Sequence, residues 1–115
     1  MDGDFSLNGK RFVPVQNSGN GEVDASTVFI YHEENGIVWG EYAGGSVLRG
    51  YLLGTRISIQ QVDFVYMQLN AGFQVRTGSN SSRLELRGDG KLRLHESWQW
   101  TSQDRSTGTS IVEEV

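Results

Sequence analysis

Residues 91–101 read Lys-Leu-Arg-Leu-His-Glu-Ser-Trp-Gln-Trp-Thr and show the clearest alternation in the chain. The positions of one parity are Leu92, Leu94, Glu96, Trp98 and Trp100, and those of the other parity are all polar or charged. A period of two predicts a β-strand with one buried face and one exposed face. The buried face then carries a carboxylate, Glu96, between Leu94 and Trp98. We therefore expect a sheet that encloses an acidic group among indole rings.

Length and composition indicate a single small domain, residues 1–115. The chain has 115 residues and a mass of 12.8 kDa, which is close to the commonest domain size. Its 15 glycines and single proline favour many tight turns over disorder. Residues 1–10 are expected to be weakly held, although Asn8-Gly9 could turn a short hairpin.

Charge and residue types argue against several classes of function. The net charge of −4 and the lack of a basic run do not favour nucleic-acid binding. The chain has no cysteine, and its two histidines, His32 and His95, have opposite apparent facing, so we expect no metal and no cofactor. Apolar runs are too short for a membrane span and no signal-peptide pattern is present. A soluble, cytoplasmic protein without a membrane partner is the expectation.

Turn signals divide the chain into short strands. Asn35-Gly36 gives the strongest hairpin signal, and Gly44-Gly45 gives the next. The predicted strands cover residues 11–16, 26–34, 37–43, 46–53, 56–60, 63–70, 73–79, 91–101 and 109–115, and residues 80–89 are predicted to form a loop with partial strand character. The turn near residues 60–62 is weakly marked, so residues 56–70 could also form one bent strand. No window shows the period of a long helix.

A meander of eight or nine short strands favours a closed structure, because closure removes exposed strand edges. The prediction is an all-β fold, an antiparallel up-and-down barrel of about eight strands. An interior of that size is filled by side chains or holds one small ligand. An open two-sheet sandwich is the alternative.

The candidate site consists of polar residues that share a parity with apolar ones. These residues are Glu96, Arg49, Gln68, His32, Glu41 and Glu113, and the candidate walls are Trp39, Tyr66, Trp98 and Trp100. A lone buried carboxylate is costly, so Glu96 needs a partner or a proton. Arg49 is the natural partner, because its planar guanidinium can hold a carboxylate through two hydrogen bonds.

Three interpretations of this set remain open. The polar residues could form a pocket for a small polar or amphipathic ligand in the barrel lumen, without catalysis. They could instead fill the barrel as a structural plug, with one wall forming a homodimer. Catalysis by Glu96 and His32 as an acid–base pair is the third reading, and it requires one of them within hydrogen-bond reach of a substrate.

The early and late strands resemble those of the avidin/streptavidin family. The matching segments are Ser26-Thr-Val-Phe-Ile30, Gly36-Ile-Val-Trp-Gly-Glu-Tyr42, Leu48-Arg-Gly50 and Lys91-Leu-Arg-Leu94 with Trp98 and Trp100. The resemblance covers about half of the chain and implies a barrel of the avidin or lipocalin type. The residues of the biotin site do not carry over one by one, so biotin binding is not implied.

The chain also resembles a family of small bacterial proteins of unknown role. The shared motifs are Asn17-Ser-Gly-Asn-Gly-Glu-Val23, Gly44-Gly45 with Gly50 and Leu53-Gly54, residues 93–101, and Gly-x-Ser-x-x-Glu-Glu at 108–114. Some members are labelled N-acetylglutamate synthase, which implies an acetyltransferase as an alternative function. Enzymes of that activity bind acyl-coenzyme A with a pyrophosphate loop at a helix start, and this sequence predicts neither the loop nor the helix.

Overall fold

The computed structural model describes residues 5–115 of the chain. These residues form eight strands, namely β1 Arg11–Asn17, β2 Val28–Glu34, β3 Ile37–Gly44, β4 Val47–Ser58, β5 Gln61–Asn70, β6 Val75–Leu86, β7 Leu92–Trp100 and β8 Thr107–Glu114. Within residues 5–115 there is no helix long and apolar enough to span a membrane.

Every strand pairs antiparallel with its neighbour in sequence, and β8 pairs with β1 to close the sheet into a barrel. The predicted eight-stranded up-and-down barrel is therefore confirmed, and the sandwich alternative is wrong. The β1–β2 contact is short, since only Arg11 and Phe12 of β1 pair with β2. The segment between these two strands, residues 18–27, is consequently free to fold across one end of the barrel.

The predicted alternation of β7 is confirmed. Leu92, Leu94, Glu96, Trp98 and Trp100 all point inward and are buried. The rest of the core comes from the inward positions of the other strands, including Phe12, Tyr31, Val62 and Leu84. The barrel interior is apolar near the start of β7 and becomes polar and aromatic towards its end.

Two strand predictions are corrected by the structure. The two strands predicted at residues 46–53 and 56–60 are one strand, β4, which runs from Val47 to Ser58, because Gly54 continues the pairing with β5 instead of turning the chain. Residues 80–86, predicted as a loop, form the second half of β6. They were misread because Asn80 and Ser82 are inward-facing polar residues, which break the apolar alternation expected of a strand.

The apolar end of the barrel is closed by residues 5–10. Leu7 is completely buried there, and its backbone N–H donates to the Glu33 carboxylate at 2.9 Å. Arg56 donates to both oxygens of the same carboxylate, at 2.9 and 2.7 Å, and to the carbonyl of Phe5 at 2.7 Å. Residues 1–4, part of the segment expected to be weakly held, lie outside the described residues. This end is the floor of the barrel.

Candidate functional site

A cavity of about 50 Å³ lies in the polar half of the lumen, opposite the floor. Its walls are six aromatic side chains, Phe29, Tyr42, Phe64, Tyr66, Trp98 and Trp100. The rings pack on one another, with Phe29 stacked on Tyr42 at 4.6 Å and Trp98 edge-on to Trp100 at 5.7 Å between centroids. The polar groups that reach the cavity are Glu22, Gln68, Asn80, Glu96 and Ser110.

Glycines on the facing strands make room for these rings. Tyr42 lies directly across from Gly50, Tyr66 from Gly78 and Trp98 from Gly108. In each pair the aromatic ring occupies the space in which a Cβ on the glycine would lie. The barrel is therefore narrow enough to bring large rings together, yet it keeps a cavity among them.

Glu96 lies at the bottom of the cavity. Its carboxylate accepts a hydrogen bond of 3.4 Å from the Ser82 hydroxyl, and the Tyr31 hydroxyl is close enough to affect its titration. Burial raises the pKa of Glu96 to about 7, against the opposing effects of these two hydroxyl groups. The carboxyl group can consequently exist in either protonation state near neutral pH.

Two buried polar atoms near Glu96 lack partners within residues 5–115. The Tyr31 hydroxyl and Asn80 Oδ1 make no hydrogen bond of good geometry there. Asn80 uses only its amide nitrogen, which donates to Ser82 Oγ at 2.7 Å. The lumen thus offers an unused acceptor on Asn80, next to a carboxyl group that the Tyr31 hydroxyl faces.

The mouth of the cavity is covered by residues 18–27, and Glu22 fixes this segment in place. The Glu22 carboxylate accepts hydrogen bonds from Gln68 Nε2 at 2.8 Å, Asn70 Nδ2 at 3.0 Å and Arg76 Nη1 at 3.3 Å. The carbonyl of Asn20 accepts a further bond from Trp100 Nε1 at 3.2 Å. The covering segment is rich in glycine, so its conformation depends on these contacts.

Five of the predicted site residues come together in the lumen. Glu96, Gln68, Tyr66, Trp98 and Trp100 all line the cavity. Gln68 accepts a hydrogen bond from the Tyr42 hydroxyl at 2.8 Å, which aims its amide nitrogen at the mouth. Their inward orientation follows the predicted parity, and a role for them in ligand binding stays a prediction.

The prediction that Arg49 faces the lumen and pairs with Glu96 is wrong. Arg49 is exposed on the outer wall, and its guanidinium lies 3.5 Å from the Tyr51 hydroxyl. A register shift between Val47 and Arg49 places two successive residues outside, so the alternation restarts with Gly50 pointing inward. Tyr51 and Leu53, which share a parity with Arg49, are themselves on the outer surface, whereas Val47, before the register shift, is buried.

His32, Glu41 and Trp39 also lie on the outer wall, contrary to the prediction. His32 Nε2 is 2.8 Å from Glu41 Oε1, and the imidazole stacks on Trp39 at 5.4 Å. An acid–base pair of His32 with Glu96 is therefore ruled out, since the two side chains lie on opposite sides of the barrel wall. Glu113 is outside as well, paired with Arg93 at 2.6 Å. On β3 and β8 the glycines Gly40 and Gly108 occupy inward positions, so the apolar outer residues of these two strands resembled the core.

Sequence reasoning missed several residues of the site. Glu22 lay in a loop without any pattern, and Asn80 with Ser82 lay in a segment interpreted as a loop. The glycine-to-aromatic pairs were a usable signal, because Gly78 and Gly108 are strand glycines without a turn to explain them. Their partners could only be identified once the register was known.

Comparison with known proteins agrees with this geometry. The structure resembles the crystal structure of xenavidin, with 16% sequence identity and a TM-score of 0.64, covering 95% of this chain and 97% of that chain. It also resembles the X-ray structure of the biotin binding protein from chicken, with 16% identity and a TM-score of 0.65, covering 95% of each chain. No curated protein matches the sequence.

At 16% identity these two structures show a shared fold, and the assignment to a family needs a match in sequence. That match is given by the sequence model of the family described as "Avidin-like protein", which covers residues 5–115, nearly the whole chain. The protein therefore belongs to the avidin-like family.

Proposed function

We propose that the lumen is a non-catalytic binding site for a small amphipathic ligand with N–H or O–H donors at its polar end. The observation that carries this proposal is the unpaired acceptor Asn80 Oδ1, which is buried and linked to Glu96 through Ser82. A buried polar atom left without a partner costs about 1–3 kcal/mol. A donor group of a ligand would remove that cost.

The walls of the lumen suit the apolar part of such a ligand. Ligand sites are typically lined by apolar and aromatic side chains, with a few polar groups that set orientation. The six rings provide the apolar surface here, and Asn80 and Glu96 provide the orienting groups.

The size of the cavity limits which ligands can bind without movement of the protein. The cavity of about 50 Å³ exceeds the roughly 10–15 Å³ that a cavity needs to hold one water molecule. It therefore takes a small head group, and a longer ligand must extend through the mouth and displace residues 18–27. Glu22 and its three donors control that displacement.

Binding is tested with the three tryptophans as internal reporters. The similar chicken structure is that of a biotin binding protein, so the probes are biotin, the cyclic urea 2-imidazolidinone and propionamide. We expect at least one probe to shift the indole N–H signals of Trp98 and Trp100 in NMR spectra, while the signal of Trp39 on the outer wall stays in place. No shift from any probe at millimolar concentration would contradict the proposal.

A pair of variants locates the site. Asn80→Ala should weaken binding of the active probe at least tenfold, because the unused acceptor is lost. Ser97→Ala, on the outer face of the neighbouring strand, should leave the affinity unchanged.

The outer wall supports a second proposal, a homodimer formed through β3, β4 and β5. Five large apolar side chains there are between 37% and 60% exposed, namely Trp39, Tyr51, Leu53, Val65 and Met67. The pairing brings them together, since Leu53 lies between Trp39 and Val65 and Tyr51 lies across from Met67. An exposed apolar patch of this kind is typical of a protein–protein interface.

Light scattering during size-exclusion chromatography tests the dimer. The wild-type protein should have twice the mass of one chain at micromolar concentration, and Val65→Glu should give a monomer. Val115→Glu, outside the patch, serves as the control and should remain dimeric. A monomeric wild-type protein would exclude this second proposal.

The acetyltransferase alternative from the sequence remains a prediction with its own test. Pure protein incubated with acetyl-coenzyme A and glutamate would have to form N-acetylglutamate. The lumen-binding proposal expects no product.

A further inference from the structure

We propose that the polar head of the lumen ligand is a cation with N–H donors, such as an alkylammonium group, that pairs with Glu96. The inference rests on the proposed function, because it assigns the charge of the ligand for the same lumen. Of the ion pairs formed among residues 5–115, none includes Glu96. The neighbours of its carboxylate are the neutral hydroxyl groups of Ser82 and Tyr31.

A buried carboxylate without a counter-charge is costly, because the interior replaces little of its lost hydration. Glu96 is 8% exposed, and burial is the main reason that its pKa is raised to about 7. A cation bound above it would supply the missing charge. An anionic head would be repelled, and a neutral head would leave the charge uncompensated.

The aromatic walls favour the same class of ligand. The face of an aromatic ring attracts a cation, and cages of several rings are a recurrent way to bind ammonium groups. The protein already contains one such contact at the mouth, where the Arg76 guanidinium lies 3.8 Å from the centre of the Trp100 ring. That guanidinium is paired with Glu22 and Asp104, and so its charge is already balanced at the mouth.

The second acceptor fits the hydrogen bonds of an ammonium group. Asn80 Oδ1 is unpaired, the residue is buried, and its amide nitrogen is held by Ser82, which also donates to Glu96. Asn80 and Glu96 are therefore linked through one hydroxyl group. An ammonium group has three donors, enough for both acceptors.

The other titratable and charged groups around Glu96 are three tyrosines and one ion pair. The tyrosines do not change charge between pH 5 and 8, and the ion pair lies at the mouth of the cavity. Burial raises the pKa of Tyr31, Tyr42 and Tyr66, so all three remain neutral phenols. Glu22 and Arg76 face the cavity from above and form an ion pair at 3.3 Å. A pH dependence of cation binding that disappears on changing Glu96 is therefore assigned to its carboxyl group.

The test uses three probes of similar size and different charge, propylammonium, propionamide and propionate, with the indole signals of Trp98 and Trp100 as the readout. At pH 8 we expect propylammonium to bind at least tenfold more tightly than propionamide, and propionate to bind most weakly. The affinity for propylammonium should fall at least tenfold between pH 8 and pH 5, as Glu96 takes up a proton.

Two variants complete the experiment. Glu96→Gln should weaken propylammonium binding at least tenfold at pH 8 and should leave propionamide binding within threefold of the wild-type value. Trp39→Phe, on the outer wall, should change neither affinity.

The outcomes separate the two proposals. If propionamide or propionate binds as tightly as propylammonium at pH 8, the cation assignment is overturned and the lumen remains a binding site. If no probe of either panel moves the two lumen signals, the lumen-binding proposal and the cation assignment both fail.

Discussion

Gly108 lies directly across from Trp98 on the β7–β8 pair, and the indole ring fills the space in which a side chain at position 108 would lie. The Trp98 ring is held from its other end by its N–H, which donates to Ser110 Oγ at 2.8 Å. Residues of the same strand thus provide both the gap and the hydrogen bond. The position of this wall of the cavity depends on the absence of a Cβ at residue 108.

Gly108→Ala should therefore destabilise the protein by about 2 kcal/mol, the typical cost of overfilling a packed site. Urea unfolding measures this change. The control is Gly88→Ala, because a Cβ there has open space and the backbone is not left-handed. Equal unfolding midpoints for the two variants would mean that Trp98 moves aside without cost.

Glu96 gives the stability a specific pH dependence. The pKa of its carboxyl group is about 7 in the folded protein against an ordinary value of 4.5, so the folded state holds an extra proton between these two pH values. A carboxyl group whose pKa is higher in the folded than in the unfolded state stabilises the fold while it is protonated. Its contribution to the free energy of unfolding therefore falls as the pH rises from about 4.5 to about 7. The full difference corresponds to about 3 kcal/mol.

Glu96→Gln removes this titration while keeping the shape of the neutral side chain. The difference in unfolding free energy between pH 5 and pH 8 should become smaller by up to about 3 kcal/mol relative to the wild type. Denaturant unfolding at the two pH values measures it. Glu41→Gln, on the outer wall, should keep the wild-type difference, and an unchanged difference in Glu96→Gln would place the carboxyl group in contact with water.

Strand β7 and strands β3 and β4 show what the sequence could and could not predict. In β7 the inward positions are large and apolar apart from Glu96, so a period of two identified the facing correctly. In β3 the inward positions include Gly40, while Trp39 on the outer face is aromatic, and the same rule therefore inverted the strand. The direction in which the side chains of a strand point can be predicted from sequence only where the inward side chains are larger and more apolar than the outward ones.

The polar half of the lumen was hidden for a related reason. Asn80 donates to Ser82 and Ser82 donates to Glu96, so the burial of these polar side chains depends in part on a residue distant in sequence. Glu22 reaches the mouth from a loop, where no periodicity applies. Closure of the barrel was predictable from strand number and turn spacing, whereas these side-chain contacts required the register.

Because Glu22 anchors the segment that covers the mouth of the cavity, removing its side chain should give solvent easier access to the cavity. Glu22→Ala removes three hydrogen bonds, one of them from a charged donor, and should cost about 2 kcal/mol of stability. The indole N–H of Trp100, bonded to the carbonyl of Asn20, should exchange with solvent faster once the segment is released. Hydrogen exchange followed by NMR measures the rate.

Glu41→Ala is the matched control for this experiment, since it removes a carboxylate paired with His32 on the outer wall. The Trp100 exchange rate should then equal that of the wild type. An unchanged rate in Glu22→Ala would mean that the other contacts of the covering segment, such as the hydrogen bonds of Ser18, Asn20 and Thr27, are enough to hold its position.

An ion pair with little exposure to solvent joins Arg56 to Glu33 at the floor. Burial by itself would raise the pKa of Glu33, but hydrogen bonds from Arg56 and from the Leu7 N–H outweigh it and hold the pKa below its ordinary value. The stabilisation is therefore present at neutral pH and is lost as the pH falls through the lowered pKa. Both side chains are largely buried, with 16% of Arg56 and 14% of Glu33 exposed.

Glu33→Ala leaves the Arg56 guanidinium without its carboxylate and releases the Leu7 N–H, so we expect a loss of about 3 kcal/mol at pH 7 in urea unfolding. The loss should shrink on acidification, because the wild-type carboxylate then becomes protonated as well. Arg49→Ala provides the contrast, since its side chain is exposed and bonds only to Tyr51 in the described structure. Its unfolding midpoint should match the wild type, and a large loss there would contradict the outward position of Arg49.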